Sequence, residues 1–187
     1  MSAQVSLSFR QHTLPHDVDA ALQQQLTRCW IEVSDAGGAV GFPFPPVDSD
    51  EVAAATAGIV AALDADSSRL LTAWAGSELV GWLNVRRDTH PLVAHWGTLH
   101  HVQTRVCVRG RGVGAALMNR VREIARDEMG LEQLHLAARG GVGLEDFYGR
   151  LGWKEIGRWP GALRLGSGSG GSGGDDRDEV LMLLSPL

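Results

Sequence analysis

The stretch Val108-Arg109-Gly110-Arg111-Gly112-Val113-Gly114-Ala115-Ala116-Leu117 constrains the fold of this chain more than any other. It follows an apolar run and leads into the segment Gly112 to Met129. There Val113, Leu117, Val121, Ile124 and Ala125 form an apolar stripe, and Arg120, Arg122, Glu123, Arg126 and Asp127 form a charged face. Glycine, small and basic residues therefore stand where a strand turns into a helix. A helix N-terminus presents unpaired backbone N–H groups and the positive end of the dipole, which makes it an anion site. Glycines 110, 112 and 114 leave no side chain to block close approach. The pattern predicts a bound phosphate-bearing molecule. Two familiar phosphate folds do not fit. The Gly-Lys-Ser/Thr of a P-loop is missing, and the mid-chain glycines lack the acidic second-strand end of a dinucleotide fold.

The flanking sequence supplies the rest of an α/β domain. Ser6 to His12 predicts a first strand. Asp17 to Val33 predicts a helix capped by Asp17 or His16, with Leu22, Leu26, Cys29, Trp30 and Val33 at three- and four-residue spacing. Ser34 to Val47, with Gly37-Gly38 and Gly41-Phe42-Pro43-Phe44-Pro45-Pro46, predicts a loop stiffened by proline. Asp48 to Ala65 returns to helix, with Val52, Ile59, Val60 and Leu63 facing the core. Ser68 to Ala75 and Glu78 to Val85 predict a hairpin about Gly76-Ser77, and Val93 to Thr104 predicts the next strand. Gly130 ends the helix that starts at Gly112, and Leu131 to Ala137 is a strand. This strand–helix–strand order argues for parallel pairing. A short helix over Leu144 to Leu151 and strands over Trp153 to Trp159 and Val180 to Leu184 complete the chain. The Gly/Ser stretch 166–174 between the last two strands cannot bury apolar surface and is expected to be a flexible loop.

The chain has 187 residues and a formal charge of −5, enough for one domain with a sizeable core. The acidic balance and the absence of a basic patch argue against nucleic acid. Cys29 and Cys107 have neither metal-ligand spacing nor the character of a disulfide framework. No metal site is expected. No apolar run is long enough to cross a bilayer, and Met1 to Phe9 lacks a signal pattern, so a cytoplasmic protein is expected with no membrane partner.

Arg109, Gly112 and Gly114 match the Arg/Gln-x-x-Gly-x-Gly/Ala motif of the GCN5-related N-acetyltransferase (GNAT) superfamily, which the chain resembles from about Phe9 to Leu184. A second feature of that family is an aromatic pair in a short helix followed by a Gly-aromatic turn. Phe147-Tyr148-Gly149-Arg150-Leu151-Gly152-Trp153 fits it. Val33 to Val47 and Gly157-Arg158-Trp159-Pro160-Gly161 also resemble the tabtoxin-resistance acetyltransferase subgroup. One departure is Val106, where the family commonly has proline three residues before the motif arginine. The resemblance implies a single α/β domain over residues 1–187. Its mixed sheet of six to seven strands carries helices on both faces and is splayed between strands 4 and 5.

What the resemblance implies about chemistry is acetyl transfer from acetyl-CoA directly to a primary amine of a small molecule, in a ternary complex. The acceptor would be an antibiotic or amino-acid-like compound. A protein or peptide N-acetyltransferase and a non-catalytic acyl-CoA sensor are the alternatives. A homodimer is common in the family. The cofactor is expected on Thr104, Arg109, Gly110, Arg111, Gly112, Val113 and Gly114. Val106 and Val108 would offer backbone groups to the pantetheine arm. Tyr148, the chain's one tyrosine, is the expected acid for the leaving thiolate. His100 is the candidate base, since strict alternation would put His100, Val102 and Thr104 on one side of their strand and His101 on the other. His95 and His135 are further candidates. On the acceptor side, Asp35 is expected to hold a substrate ammonium, and Phe42, Phe44 and Trp82 to wall an apolar portion.

Overall fold

A computed structural model of the chain describes residues 6–38, 41–42, 45–164 and 176–187. Seven strands form one mixed sheet: β1 (Leu7–His12), β2 (Ser68–Ala75), β3 (Glu78–Arg87), β4 (Trp96–Thr104), β5 (Gln133–Arg139), β6 (Lys154–Leu163) and β7 (Arg177–Leu184). Their spatial order is β1-β2-β3-β4-β5-β7-β6. All neighbours run antiparallel except β4 and β5, which the intervening helix forces to be parallel. The helices are α1 (Ala20–Asp35), α2 (Ser49–Ala61), α3 (Val113–Asp127) and α4 (Leu144–Arg150).

The period-two alternation of the central strands feeds two cores, one on each face of the sheet. Leu70, Trp74 and Trp82 point toward α1 and α2, joining Leu22, Leu26, Cys29, Trp30 and Val33. Leu71, Ala73, Leu83 and Val85 point the other way, onto Val113, Leu117, Val121, Ile124 and Ala125 of α3 and Tyr148 of α4. Each of these larger apolar side chains stabilises the fold by about 1.5–3 kcal/mol on burial. The expected stripes of α1 and α3 are the buried ones.

The ends of the elements have identifiable causes. Asp19, rather than Asp17 or His16, caps α1 by accepting the N–H of Leu22 at 2.8 Å. Asp17 is already engaged by the N–H groups of Thr13 and Leu14 in the preceding turn of 3₁₀-helix, Pro15–Asp17. Helix α1 stops in a Schellman turn. Gly37, at φ +80°, donates to Ser34, and Gly38 donates to the Val33 carbonyl at 2.8 Å. Gly130, at φ +64°, follows α3 as expected.

Two features of the sheet position the site. Strands β4 and β5 pair only through Trp96–Gln133, Gly97–Leu134 and Thr98–His135, and then part. Strand β5 stays zipped to β7, and β4 to β3, so a gap opens in the middle of the sheet. The second feature is a β-bulge. Trp82 pairs with Gln103 and Asn84 with His100, so His101 and Val102 together oppose Leu83. The last hairpin is longer than expected, with β6 running to Leu163 and β7 starting at Arg177; the stretch 166–174 lies outside the described residues. No described helix is long and apolar enough to cross a membrane.

Candidate active site

The gap between β4 and β5 holds two cavities. One, of about 540 Å³, lies toward α3 and α4 and is bordered by Thr104, Val108 to Gly110, Gly112 to Ala115, and Tyr148. The other, of about 430 Å³, opens beside Phe42 and the far ends of β6 and β7. Leu99, His101, Ala137 and Ala138 border both. The splay therefore holds two adjoining open cavities that meet at these residues, the first and second mouths of the site.

The first mouth is built by the glycine motif. Gly110 and Gly112 have φ of +73° and +82°, a region where an L side chain costs about 1–2 kcal/mol. Gly114 is small for a different reason: a Cβ there would stand 3.3 Å from Phe147 Cζ. The glycine motif and the Phe-Tyr helix are thus in direct contact. Ala116 donates to the Gly112 carbonyl, which leaves the N–H groups of Val113, Gly114 and Ala115 without intrahelical partners. Asp19 caps α1, Asp48 caps α2, and Glu145 and Asp146 sit in the first turn of α4. Helix α3 alone has neither a capping side chain nor an acidic first turn. Its positive end has no acidic partner in its first turn among the described residues, an arrangement suited to an anion.

Several expected contacts are placed differently. Val106 does not border either cavity. Its N–H donates to Glu32 Oε1 at 2.9 Å and its carbonyl accepts from Arg109 N–H. Glu32 also takes Arg105 Nε at 2.7 Å, and Glu78 takes the same guanidinium, so an ion-pair cluster ties this loop to α1. Val108 borders the first cavity, but its N–H and carbonyl are bonded to Arg105 and Arg111. Neither valine has a free N–H to offer, and each carbonyl already accepts one bond. The edge of β4 beyond Thr98, which lost its strand partner at the splay, has free backbone groups instead. The Arg111 side chain is exposed and does not border the cavity.

The alternation argument for His100 fails at the bulge. His101 adopts φ +56°, an uncommon conformation for a non-glycine residue, and resets the phase of the strand. Leu99 and Val102, three residues apart, consequently pack on the same core. His100 reaches only the second cavity, and His101 borders both. The His101 ring packs against Trp30 (4.7 Å) and Trp82 (5.9 Å), and its Nδ1 is buried without a protein partner. Burial, with lesser contributions from His100 and Arg86, pushes its pKa down to about 4. His100 is also lowered, by burial and then Arg86. His135 stacks on Trp96 instead, at 4.6 Å.

Tyr148 is 6% exposed, packs between Phe147 and Trp153, and borders the first cavity. Burial pushes its phenol up to about 12, so the O–H stays protonated at any physiological pH. On the acceptor side, Phe42 borders the second cavity and packs on Trp30. Trp82 does not reach either cavity; it is 0% exposed and backs the His101 ring from within the core. Asp35 borders neither cavity, and its Oδ1 accepts the N–H of Val47 at 2.8 Å. Phe44 lies outside the described residues. Sequence reasoning missed Gly37, Ala137, Ala138 and Arg139 as lining residues, and no local pattern marks them.

Comparison with known proteins follows the same lines. Residues 24–153 match the acetyltransferase (GNAT) family. A search of curated proteins finds no match. Among solved structures, a GCN5-related N-acetyltransferase from Kribbella flavida superposes with a TM-score of 0.70 at 22% identity, over 97% of this chain and 98% of that one. A putative phosphinothricin N-acetyltransferase gives 0.73 at 16% identity, over 96% and 98%. An aminoglycoside 6′-N-acetyltransferase complexed with coenzyme A gives 0.66 at 15% identity, over 94% and 96%. At these identities the likeness is one of fold.

Proposed function

The chain belongs to the acetyltransferase (GNAT) family, and on that premise we propose that it transfers the acetyl group of acetyl-CoA to a primary amine of a small molecule. The observation that carries this reading is the pair of adjoining cavities in the splay, with an uncapped, glycine-built helix terminus at one mouth and His101 where the two cavities meet. The residues present fit coenzyme A. The first-turn N–H groups of α3 and the glycines at positive φ suit a pyrophosphate, and the unpaired edge of β4 from Val102 to Thr104 suits an amide-bearing arm. Bound there, acetyl-CoA supplies an activated acyl thioester.

The chain's own groups divide the remaining work. A neutral amine entering by the second mouth meets His101, which is uncharged at neutral pH and accepts a hydrogen bond from its N–H. With a pKa of about 4, His101 orients the nitrogen but passes the proton on to solvent rather than holding it. Tyr148 presents its O–H to the departing sulfur. A phenol near 12 is a weaker acid than a thiol at about 8.5, so it stabilises the thiolate chiefly as a hydrogen-bond donor. The nitrogen gains a bond to the acyl carbon and loses one proton, while the sulfur loses that carbon and takes up a proton. Separate, adjoining cavities for the two substrates support direct transfer in a ternary complex, with no acyl-enzyme.

Calorimetric titration with acetyl-CoA, followed by a thiol-release screen over small amines, tests the proposal. Saturable binding near one per chain and amine-dependent thiol release are expected. Folded protein that binds no acetyl-CoA would overturn it.

A further inference from the structure

Arg139 ends β5 on the acceptor side of the sheet. Leu134, Leu136 and Ala138 are buried on the α3 face, so His135, Ala137 and Arg139 point to the other face, toward the second cavity. A guanidinium carries five N–H donors. Among the described residues this one makes a single bond, a long 3.4 Å contact to the Gly37 carbonyl. Its Nε is buried with no partner.

Among the described residues Arg87 and Arg122 also have a buried, unpartnered Nε, but of the three only Arg139 lines the second cavity. Other arginines of the chain are paired. Arg158 sits among Glu145, Glu155 and Asp178, Arg105 holds Glu32 and Glu78, and Arg164 holds Asp176. Arg139 has no carboxylate within 4.0 Å among the described residues, although Glu179 is its direct cross-strand neighbour. Its charge is further disfavoured by burial and by the nearby Arg177. A half-buried guanidinium without an anion is costly, and a planar oxyanion satisfies it with paired, charge-assisted hydrogen bonds. The same cavity holds His101, and Phe42, Ala162 and Leu163 give it an apolar wall.

We propose that Arg139 is the acceptor's anchor, and that the acceptor therefore carries an oxyanion of the carboxylate type beside its primary amine, in the manner of an amino acid. This rests on the acetyl-transfer reading above. Arg139 takes the oxyanion at the rim of the second mouth, the amine points inward to His101, and an apolar substituent lies on Phe42 and Leu163. Arg139 is thus a specificity-determining residue that touches substrate away from the reacting atoms.

The test uses the full chain and matched acceptors: glycine, alanine, leucine and lysine, each with its carboxamide and its decarboxylated amine. The carboxamides are the less basic amines and are more often neutral, which biases the comparison against the proposal. The wild type is expected to favour the carboxylated member of at least one set by tenfold or more in kcat/KM, chiefly through KM. Arg139→Gln is expected to remove that preference at least tenfold, and Arg139→Lys to restore part of it, with acetyl-CoA affinity retained as the check on folding. Carboxamides or plain amines used as well as the amino acids, or a preference unchanged in Arg139→Gln, would overturn the anchor. Failure to bind acetyl-CoA and to turn over any amine would overturn the underlying reading instead.

Discussion

Replacing Gly112 by alanine and, separately, by aspartate would isolate the electrostatic role of the α3 terminus from its backbone geometry. Gly112 has φ +82°, and apart from its chain neighbours no described atom lies within 4 Å of where a Cβ would stand, so the added Cβ of either variant does not clash. Alanine then costs only left-handed strain, about 1–2 kcal/mol, which lowers Tm by roughly 2–8 °C in a chain of this size. The strain is the same with and without ligand, but Gly112 borders the first cavity, so the methyl also crowds an approaching pyrophosphate; the alanine variant's acetyl-CoA affinity is the steric baseline against which aspartate is read. Aspartate tolerates the conformation better, and as the residue before α3 it can cap the free N–H groups and complement the dipole. It should melt at or above the alanine variant. Its carboxylate also occupies the terminus that a pyrophosphate needs. Two like charges about 4 Å apart near a protein surface repel by about 4 kcal/mol, roughly halved by physiological salt. About 2 kcal/mol corresponds to a loss of about 30-fold in affinity. Thermal melts and calorimetric titration of both variants read the two effects separately. Aspartate binding acetyl-CoA as tightly as alanine would refute the placement of the anion at α3.

Three further outcomes follow from the geometry. Tyr148→Phe should lower kcat by about 10–100-fold while leaving acetyl-CoA affinity intact, and with the phenol near 12 the wild-type rate should show no alkaline limb from this group below about pH 11; a limb near pH 9 that disappears in the variant would contradict the raised pKa. His101 is held near 4 against an ordinary 6.5, so as pH falls from 6.5 to 4 the unfolded chain takes up a proton that the native chain refuses, and stability drops by at most about 3 kcal/mol over that window. Urea unfolding should show a smaller acid loss in His101→Gln than in wild type, although His12 and His100, also lowered, preserve part of it. Gly81→Ala would put a Cβ 2.7 Å from the Gln103 carbonyl and 3.0 Å from Leu117 Cδ1, forcing β3 and β4 apart beside the bulge; a loss of about 1–3 kcal/mol is expected by thermal melting, and an unchanged Tm would mean the strands are not so tightly apposed.

Much of the scaffold was legible because its signals are local. The stripe of α3, the Gly76-Ser77 hairpin and the stop at Gly130 each depend on residues a few positions apart, and each is found where periodicity and turn chemistry put it. The Gly110–Gly114 terminus and Tyr148 were legible for the same reason. The sequence reading erred where a competing partner lay far along the chain. Val106 looked available until Glu32, from α1, claimed its N–H. Asp35, expected beside the acceptor, borders neither cavity and lends one oxygen to the N–H of Val47. Trp82 looked like a pocket wall, yet the second core needed its whole surface.

The histidine pair shows the division most clearly. The sequence by itself determined that a strand would run over Val93 to Thr104 with two histidines in it, observed from Trp96, and that a glycine-built helix terminus would follow. Only the tertiary structure decided which histidine borders both cavities. Alternation is a rule for an unbroken ladder, and one extra residue opposite Leu83 turns His101 inward. That bulge is selected by how β3 packs on β4 beside Gly81 and by the two tryptophans enclosing the ring, contacts between residues as far apart as 30 and 101. Arg139 is subject to the same logic. Its missing counter-ion is a fact about what surrounds it in space, which no spacing along the chain records.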